Sequence, residues 1–224
     1  MKKIGILGGM GPQASIRFYS MLIDIAIKQG AAHNADFPYI LLANIPVPDL
    51  IGDQVDQDVA IDMVTHAARD LQRAGAELLV MPCNTMHLYA DRFSQAAQLP
   101  FISMIDAVID EARVARYAKV GVIGTPTTLK TGLYDRALAH MHITVIKAHR
   151  SAETVIQSVI ADTVGPDDIV QINAICAELT DAGAEAIILG CTELPIIQQQ
   201  IQTVVPLIDS TCALARATLT AAMR

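Results

Sequence analysis

Tryptophan is absent from the 224-residue chain, and with four Phe and five Tyr the aromatic share is only 4%. So few rings cannot build a base-stacking surface for nucleic acid. Basic residues are also the minority, 16 against 23 acidic ones, for a formal net charge of −7 and a sequence pI near 5.2. An acidic chain with no basic stripe lacks the footprint a phosphate backbone requires, so no nucleic-acid partner is expected. No apolar run reaches the roughly 18 residues of a membrane span, so no membrane partner is expected either. The Lys2-Lys3 start runs into Gly5, Gly8, Gly9, Gly11 and Pro12, which reads as a first buried strand rather than a signal peptide. Neither CxxC nor HExxH occurs, and His140, His142 and His149 lack metal-ligand spacing, so no metal is assigned. The four cysteines, without an export signal, point to thiols in a reducing compartment, the cytoplasm, rather than to disulfides.

What the chain has in quantity is apolar residues, 52% of the total, enough for one large core or two small ones. It also says one thing twice. Ala74-Gly75-Ala76-Glu77 leads through an apolar run to Cys83, and Ala182-Gly183-Ala184-Glu185 leads through another to Cys191, both at an offset of 108. Lys119-Val120-Gly121-Val122-Ile123-Gly124 answers Lys3-Ile4-Gly5-Ile6-Leu7-Gly8 at 116, and Val205-Pro206-Leu207-Ile208-Asp209 echoes Leu99-Pro100-Phe101 to Ile105-Asp106. Three echoes at similar offsets point to duplicated halves.

Each half alternates short apolar runs with helical stripes, the pattern of a parallel sheet covered on both faces. In the first half, strands are expected at Lys3–Leu7, Tyr39–Asn44 and Glu77–Met81. Helices are expected at Pro12–Lys28, with Ile16, Tyr19, Leu22, Ile23 and Ala26 as its stripe, and at Asp58–Ala74, with Ile61, Val64, Ala68 and Leu71. In the second half, strands are expected at Lys119–Gly124, Ile143–Ile146 and Ala186–Leu189. Thr125-Pro126 opens one helix there, with Pro suited to the first position, and Pro166–Asp181 forms another. Asp106 and Asp209 read as N-caps where the chain crosses between halves.

Cys83-Asn84-Thr85 and Cys191-Thr192-Glu193 each join a strand end to an expected helix start. Ligands of open α/β sheets bind beyond the carboxyl ends of the strands, where helix N–H groups and dipole favour anions. Such a corner favours a thiolate and also suits a substrate carboxylate. Two corners related by a pseudo-twofold axis would set one thiol on each face of a small ligand. That arrangement suits removing a proton from one face of a carbon and returning one to the other. Backbone donors with the Asn84, Thr85 and Thr192 side chains would hold the carboxylate as it takes up enolate charge.

Met81-Pro82-Cys83-Asn84-Thr85, Gly190-Cys191-Thr192-Glu193 and Gly8-Gly9-Met10-Gly11-Pro12 resemble the aspartate branch of the aspartate/glutamate racemase superfamily over essentially the whole chain. The resemblance implies a cofactor-independent, two-cysteine amino-acid racemase, aspartate or glutamate being the substrates it suggests, and commonly a homodimer. It implies two pseudo-symmetric three-layer α/β domains with parallel sheets and the site in the cleft between them. Residues 1–103 with a C-terminal helix 210–224 would form the first and 104–209 the second. Cys83 and Cys191 would be the two bases, with Met10, Gln54, Asn84, Thr85, Thr192 and Glu193 around the substrate. The chain departs from the pattern where Leu50 follows Pro48-Asp49, since that branch tends to carry an Arg there. Nor is there a Lys after Lys147 to match the second-domain Lys that would hold a distal carboxylate, although Arg150 is close.

Alternatives remain within and outside the superfamily. Hydantoin racemases and maleate isomerases would use both thiols, whereas a decarboxylase needs one. Gly9-Met10-Gly11-Pro12-Gln13-Ala14 satisfies GxGxxA after a strand, the setting of a dinucleotide-binding oxidoreductase, but Asn44 stands where an acidic ribose partner belongs. A noncatalytic amino-acid-binding protein is the remaining alternative. Cys176 and Cys212, inside helical patterns, read as inert core thiols. His87, four residues after Cys83, reads as packing or thiol tuning rather than a Cys-His pair. Glu77 and Glu185 read as solvated.

Overall fold

The computed structural model describes residues 1–48 and 57–224. They form two compact units, Met1–Met104 with Thr211–Arg224, and Ile105–Ser210.

The first unit is built on a parallel four-stranded sheet ordered β2-β1-β3-β4, from β1 (Ile4–Gly8), β2 (Ile40–Asn44), β3 (Leu78–Val80) and β4 (Phe101–Ile102). β1 and β3 are buried at every position while edge strand β2 is partly exposed, which is why the central strands read as continuous apolar runs. α1 (Pro12–Lys28) and α9 (Ser210–Ala222) cover one face, packing Phe18, Leu22, Leu214 and Leu219 on Ile4, Ile6, Leu78 and Val80. α2 (Gln57–Arg73) and α3 (Ala90–Ala97) cover the other, with Val64, Ala68 and Phe93 on Leu7 and Leu79. The last helix therefore completes the layer that the first begins, and the Lys2 N–H donates to the Ala222 carbonyl at 2.7 Å.

The inward stripe of α1 differs from the expected one. Ala14, Ser15, Phe18, Leu22 and Ala26 are buried, whereas Ile16 is 70% exposed and Tyr19 is exposed. Two apolar stripes compete on this helix, and the one carrying Phe18 takes the core.

The second unit repeats the topology as β6-β5-β7-β8, from β5 (Lys119–Gly124), β6 (Thr144–Lys147), β7 (Ala186–Gly190) and β8 (Leu207–Asp209), all parallel. Its helices are α4 (Met104–Val114, beginning on the last residue of the first unit), α5 (Pro126–Lys130), α6 (Leu133–Ala139), α7 (Glu153–Ile160) and α8 (Pro166–Asp181). The helix expected to open at Thr125-Pro126 does so, and it is capped by Thr125, whose hydroxyl accepts the Thr128 N–H at 3.2 Å. It stops after five residues and restarts beyond Gly132, which sits at φ 62°. Asp106 lies inside the first turn of α4 rather than at its cap, and Asp209 ends β8 directly before α9.

The repeated Ala-Gly-Ala-Glu segment has a purely structural explanation. At the end of α2, Gly75 adopts φ +94°, its N–H donates to the Gln72 carbonyl, and the Ala76 N–H donates to that of Leu71. At the end of α8, Gly183 adopts φ +93° and the same two bonds run to Thr180 and Leu179. This is the Schellman arrangement, in which a left-handed glycine lets the last carbonyls find donors. Each Glu then clamps the neighbouring strand: Glu77 accepts the Lys3 N–H at 2.8 Å, and Glu185 accepts those of Ala118 and Lys119. Exposed as they are, these carboxylates are bonded to backbone rather than merely solvated. Both bonds hold the Glu185 carboxyl below the usual range.

Candidate active site

In the strand order β2-β1-β3-β4, the chain leaves β1 toward one edge and β3 toward the other. Loops at such a switch point carry ligands in open α/β sheets. Here they are Gly9–Gly11 after β1 and Met81–Thr85 after β3, which hold Met10 and Cys83. Gly9 is required where it stands, because φ is +98° and a Cβ would strike the Ile45 carbonyl oxygen. Its N–H donates to Ser15 Oγ at 2.9 Å, tying the turn to the start of α1.

Cys83 is 6% exposed and shares an apolar cluster with Met10, Met81 and Met86. Its N–H donates to the Met81 carbonyl at 2.9 Å. Asn84 and Thr85 are buried beside it in sequence. The expected helix start is a five-residue 3-10 turn, Thr85–Tyr89, leading directly into α3. The corner therefore presents a tight turn instead of a full α-helical terminus.

His87 fixes this corner to the next element. Its Nδ1 lies 2.7 Å from the Cys83 carbonyl oxygen and its Nε2 lies 2.9 Å from the Met104 nitrogen. A carbonyl only accepts and a backbone amide only donates, so the ring is the neutral tautomer with the proton on Nδ1. Burial lowers its pKa to about 4, opposed by the bond to Cys83. The ring also meets Phe101 edge-on at 5.4 Å. With both nitrogens bonded to backbone, His87 is a staple between the ends of β3 and β4 and not a base paired with the Cys83 thiol.

In the second unit, β7 delivers Cys191, 5% exposed, into a corner of different chemistry. Its S–H donates to Glu193 Oε2 at 3.1 Å, and the Thr192 hydroxyl donates to the same oxygen at 3.0 Å. Glu193 is 6% exposed and makes no side-chain cap for the 3-10 segment Leu194–Gln200 that follows. Its carboxylate is thus bonded to its own two predecessors. Tyr134 of α6, which no sequence pattern singled out, is buried against the same strand end: a Cβ on Gly190 would come within 3.1 Å of its ring. Burial pushes its phenol far above the ordinary range, against a hydrogen bond with Ser210, while nearby Cys191 adds to the rise. Ser210 in turn donates to the Leu189 carbonyl at 2.7 Å.

The remaining candidates fall elsewhere. Gln54 and Leu50 lie outside the described residues. Cys176 is fully buried in α8, and burial pushes its thiol up to about 11. Cys212 is not the inert core thiol expected, since it is half-buried and accepts a bond from Arg216 at 2.8 Å. None of the four cysteines is in a disulfide. Among the described residues no cluster of His, Cys, Asp and Glu could hold a metal ion, and no helix is long and apolar enough to cross a membrane.

A two-unit α/β chain with a thiol at the end of corresponding strands defines the class. The chain belongs to the Asp/Glu/Hydantoin racemase family, whose profile matches residues 7–218, and it is an isomerase of the amino-acid racemase type. It is 30% identical over 221 residues to the broad specificity amino-acid racemase RacX of Bacillus subtilis, covering 96% of each chain. Among solved structures it is similar to Picrophilus torridus aspartate racemase, with a TM-score of 0.85 at 25% identity over 100% of this chain and 95% of that one. An aspartate racemase homologue from Pyrococcus horikoshii matches over 100% of both chains, with a TM-score of 0.81 at 27% identity.

Proposed function

We propose that this protein racemises free amino acids without an organic cofactor, with Cys83 and Cys191 as the paired acid and base. The single observation that carries the reading is the equivalence of the two thiols. Each follows the third strand of its own four-stranded sheet, at a 3-10 turn, after the same helix-ending and strand-clamping segment. In the reaction one thiolate takes the α-proton while the other thiol gives its proton to the opposite face. Acid–base catalysis of this kind contributes about 10²–10⁴-fold, and donors to the substrate carboxylate supply further stabilisation as enolate charge develops. Met10, Gln54, Asn84, Thr85, Thr192 and Glu193 belong to the binding set in this reading.

The substrate range extends beyond aspartate and glutamate. Leu50 in place of a charged fork, the lack of any Lys after Lys147, and the breadth stated in the name of the RacX relative support a wall that tolerates neutral side chains. The similarity to structures named as aspartate racemases favours the narrower reading, an acidic amino acid alone. The protein is taken as a cytoplasmic homodimer on the family resemblance alone, and light scattering checks the assembly.

The test is incubation with a panel of L- and D-amino acids in D₂O, following α-deuteration and chirality together. Exchange and inversion of several neutral amino acids are expected, unchanged by added pyridoxal phosphate and lost in both Cys83→Ala and Cys191→Ala. Full activity in either variant would sink the two-thiol reading, and turnover of aspartate alone would sink the broad range.

A further inference from the structure

The chain passes from one unit to the other twice, between Met104 and Ile105 and between Ser210 and Thr211. Each crossing opens a helix, α4 at Met104 and α9 at Ser210. In both units the residue on the near side of the crossing is hydrogen-bonded to the end of the strand that carries the cysteine, and the two links are built from different side chains. In the first unit His87 makes the link. Its Nδ1–H donates to the Cys83 carbonyl at 2.7 Å, and its Nε2 accepts the Met104 N–H at 2.9 Å, one of the donors that a helix start leaves without an intrahelical partner. In the second unit Ser210 makes it, its hydroxyl donating at 2.7 Å to the carbonyl of Leu189 in the strand that leads to Cys191. Ser210 also shares a hydrogen bond with Tyr134 of α6. The halves could not share one solution. At the common offset of 108 the position of His87 is held by Pro195, whose side chain neither donates nor accepts. The Cys191 carbonyl is met instead by the Leu194 N–H at 3.2 Å. Met104, the matching first residue of α4, carries no hydroxyl to reach back with. The same link made by two unrelated buried side chains points to a demand that the duplicated backbone alone does not meet.

We propose that His87 and Ser210 are positioning residues, each fixing one thiol to the residue at which the chain leaves that thiol's own unit. This rests on the two-thiol reading above. A cysteine sulfur sits a single rotatable bond from its backbone, so it follows any shift of the strand end or turn that carries it. His87 acts on Cys83 directly. With the Cys83 N–H on the Met81 carbonyl and its own carbonyl on the imidazole, the cysteine is anchored on both sides. Ser210 acts on Cys191 through the last residues of β7, which its bond to Leu189 holds against the start of α9. Neither side chain is asked to exchange a proton with the substrate: both imidazole nitrogens are committed to backbone, and the serine proton is given to a carbonyl. Misplacement by about 1 Å costs an enzyme about 10²-fold in rate, and that is the scale on which loss of either link is read.

Because L- and D-enantiomers are equal in free energy, a variant lowers kcat/KM by the same factor in both directions, and the thiol it affects is read from isotope effects. With the α-deuterated enantiomers of the panel's fastest substrate, His87→Phe and Ser210→Ala are each expected to lower kcat/KM about 10²-fold. In His87→Phe proton transfer at Cys83 becomes the slow step, so the isotope effect rises for the enantiomer that Cys83 deprotonates and falls for its mirror image. In Ser210→Ala the slow step moves to Cys191, and the two shifts exchange enantiomers. A general loss of packing would move both variants the same way. Isotope effects that shift in the same sense in the two variants, or stay at wild-type values, overturn the proposal. His87→Gln, whose amide offers a donor and an acceptor, and Ser210→Thr, which keeps the hydroxyl, are expected to recover about tenfold of the loss. Conservative variants no faster than His87→Phe and Ser210→Ala overturn it as well. Where His87→Phe does not fold, His87→Gln is set against Ser210→Ala, and the opposed shifts are expected at smaller size. An inactive wild type would refute the racemase reading, whereas an active wild type whose variants lack the opposed shifts would refute only the positioning roles.

Discussion

Acidification should loosen the Cys83 corner through His87, and the size of the effect follows from how far burial lowers its pKa. The folded ring resists protonation until about pH 4, while an unfolded histidine protonates near 6.5. Between these values the unfolded state binds more protons, so stability is complete above pH 6.5 and falls as pH drops toward 4. The loss is about 1.4 kcal/mol per pH unit, hence about 2 kcal/mol by pH 5 and about 3 kcal/mol by pH 4. The physical cause is the burial of the ring, which disfavours its charged form, and a protonated Nε2 would also point a donor at the Met104 N–H. His87→Phe keeps a ring against Phe101 but strands the Met104 N–H and the Cys83 carbonyl, at about 1–3 kcal/mol for each buried group. Urea unfolding followed by far-UV circular dichroism, for wild type and variant, separates the two contributions. The wild type should be the more stable at pH 7.5, and the gap should narrow by about 2 kcal/mol at pH 5, since only the wild type carries this titration. A gap that stays constant from pH 7.5 to pH 5 would refute the buried neutral tautomer.

Gly183→Ala tests the repeat as a structural device: a Cβ there meets only the tip of Lys119, at 3.9 Å, so the cost is backbone strain of about 1–2 kcal/mol, seen as a lower urea midpoint with α-deuteration of the native enzyme unchanged. Glu185→Gln should lower the melting temperature most at neutral pH. The depressed carboxyl contributes stability that is present above its unfolded pKa and lost as pH falls through the folded one, so the difference between the two melts should shrink as pH falls. Cys176, with its thiol pushed up to about 11, should escape a disulfide-exchange reagent at pH 8 in the native protein, and Cys176→Ala should racemise normally. Labelling of Cys176 before unfolding would contradict its burial.

Much of the scaffold was legible in the residues because its rules are local. α1 and α8 begin at Pro12 and Pro166 and end at Lys28 and Asp181, where proline at the first position and the change to polar residues mark them. The strands lie within a residue or two of their apolar runs. The inward face of α1 was misread because periodicity ranks stripes only by their presence, and the choice between Ile16 and Phe18 is made by what the sheet offers opposite them. The turns after both cysteines were read as helix starts, since a 3-10 segment and the first turn of an α-helix share the same capping residues. At the site, the cysteines stood out through duplication, while the staple made by His87 depends on Met104, 17 positions away. Tyr134 depends on tertiary packing over Gly190 and leaves no pattern in the sequence.

The duplicated segment and the reaction make opposite demands on symmetry. Helix termination and strand clamping are the same physical problem in both halves, and they are solved with the same residues, Gly75 and Gly183 in the left-handed region and Glu77 and Glu185 on the next strand's amides. In the two-thiol reading, proton exchange at the stereocentre also uses a matched thiol on each face of the carbon. A chiral amino acid, however, would present its carboxylate, amine and side chain to different walls. Equivalence therefore has to end at the residues just beyond the cysteines. The two halves do diverge there, with Asn84 against Thr192 and Thr85 against Glu193.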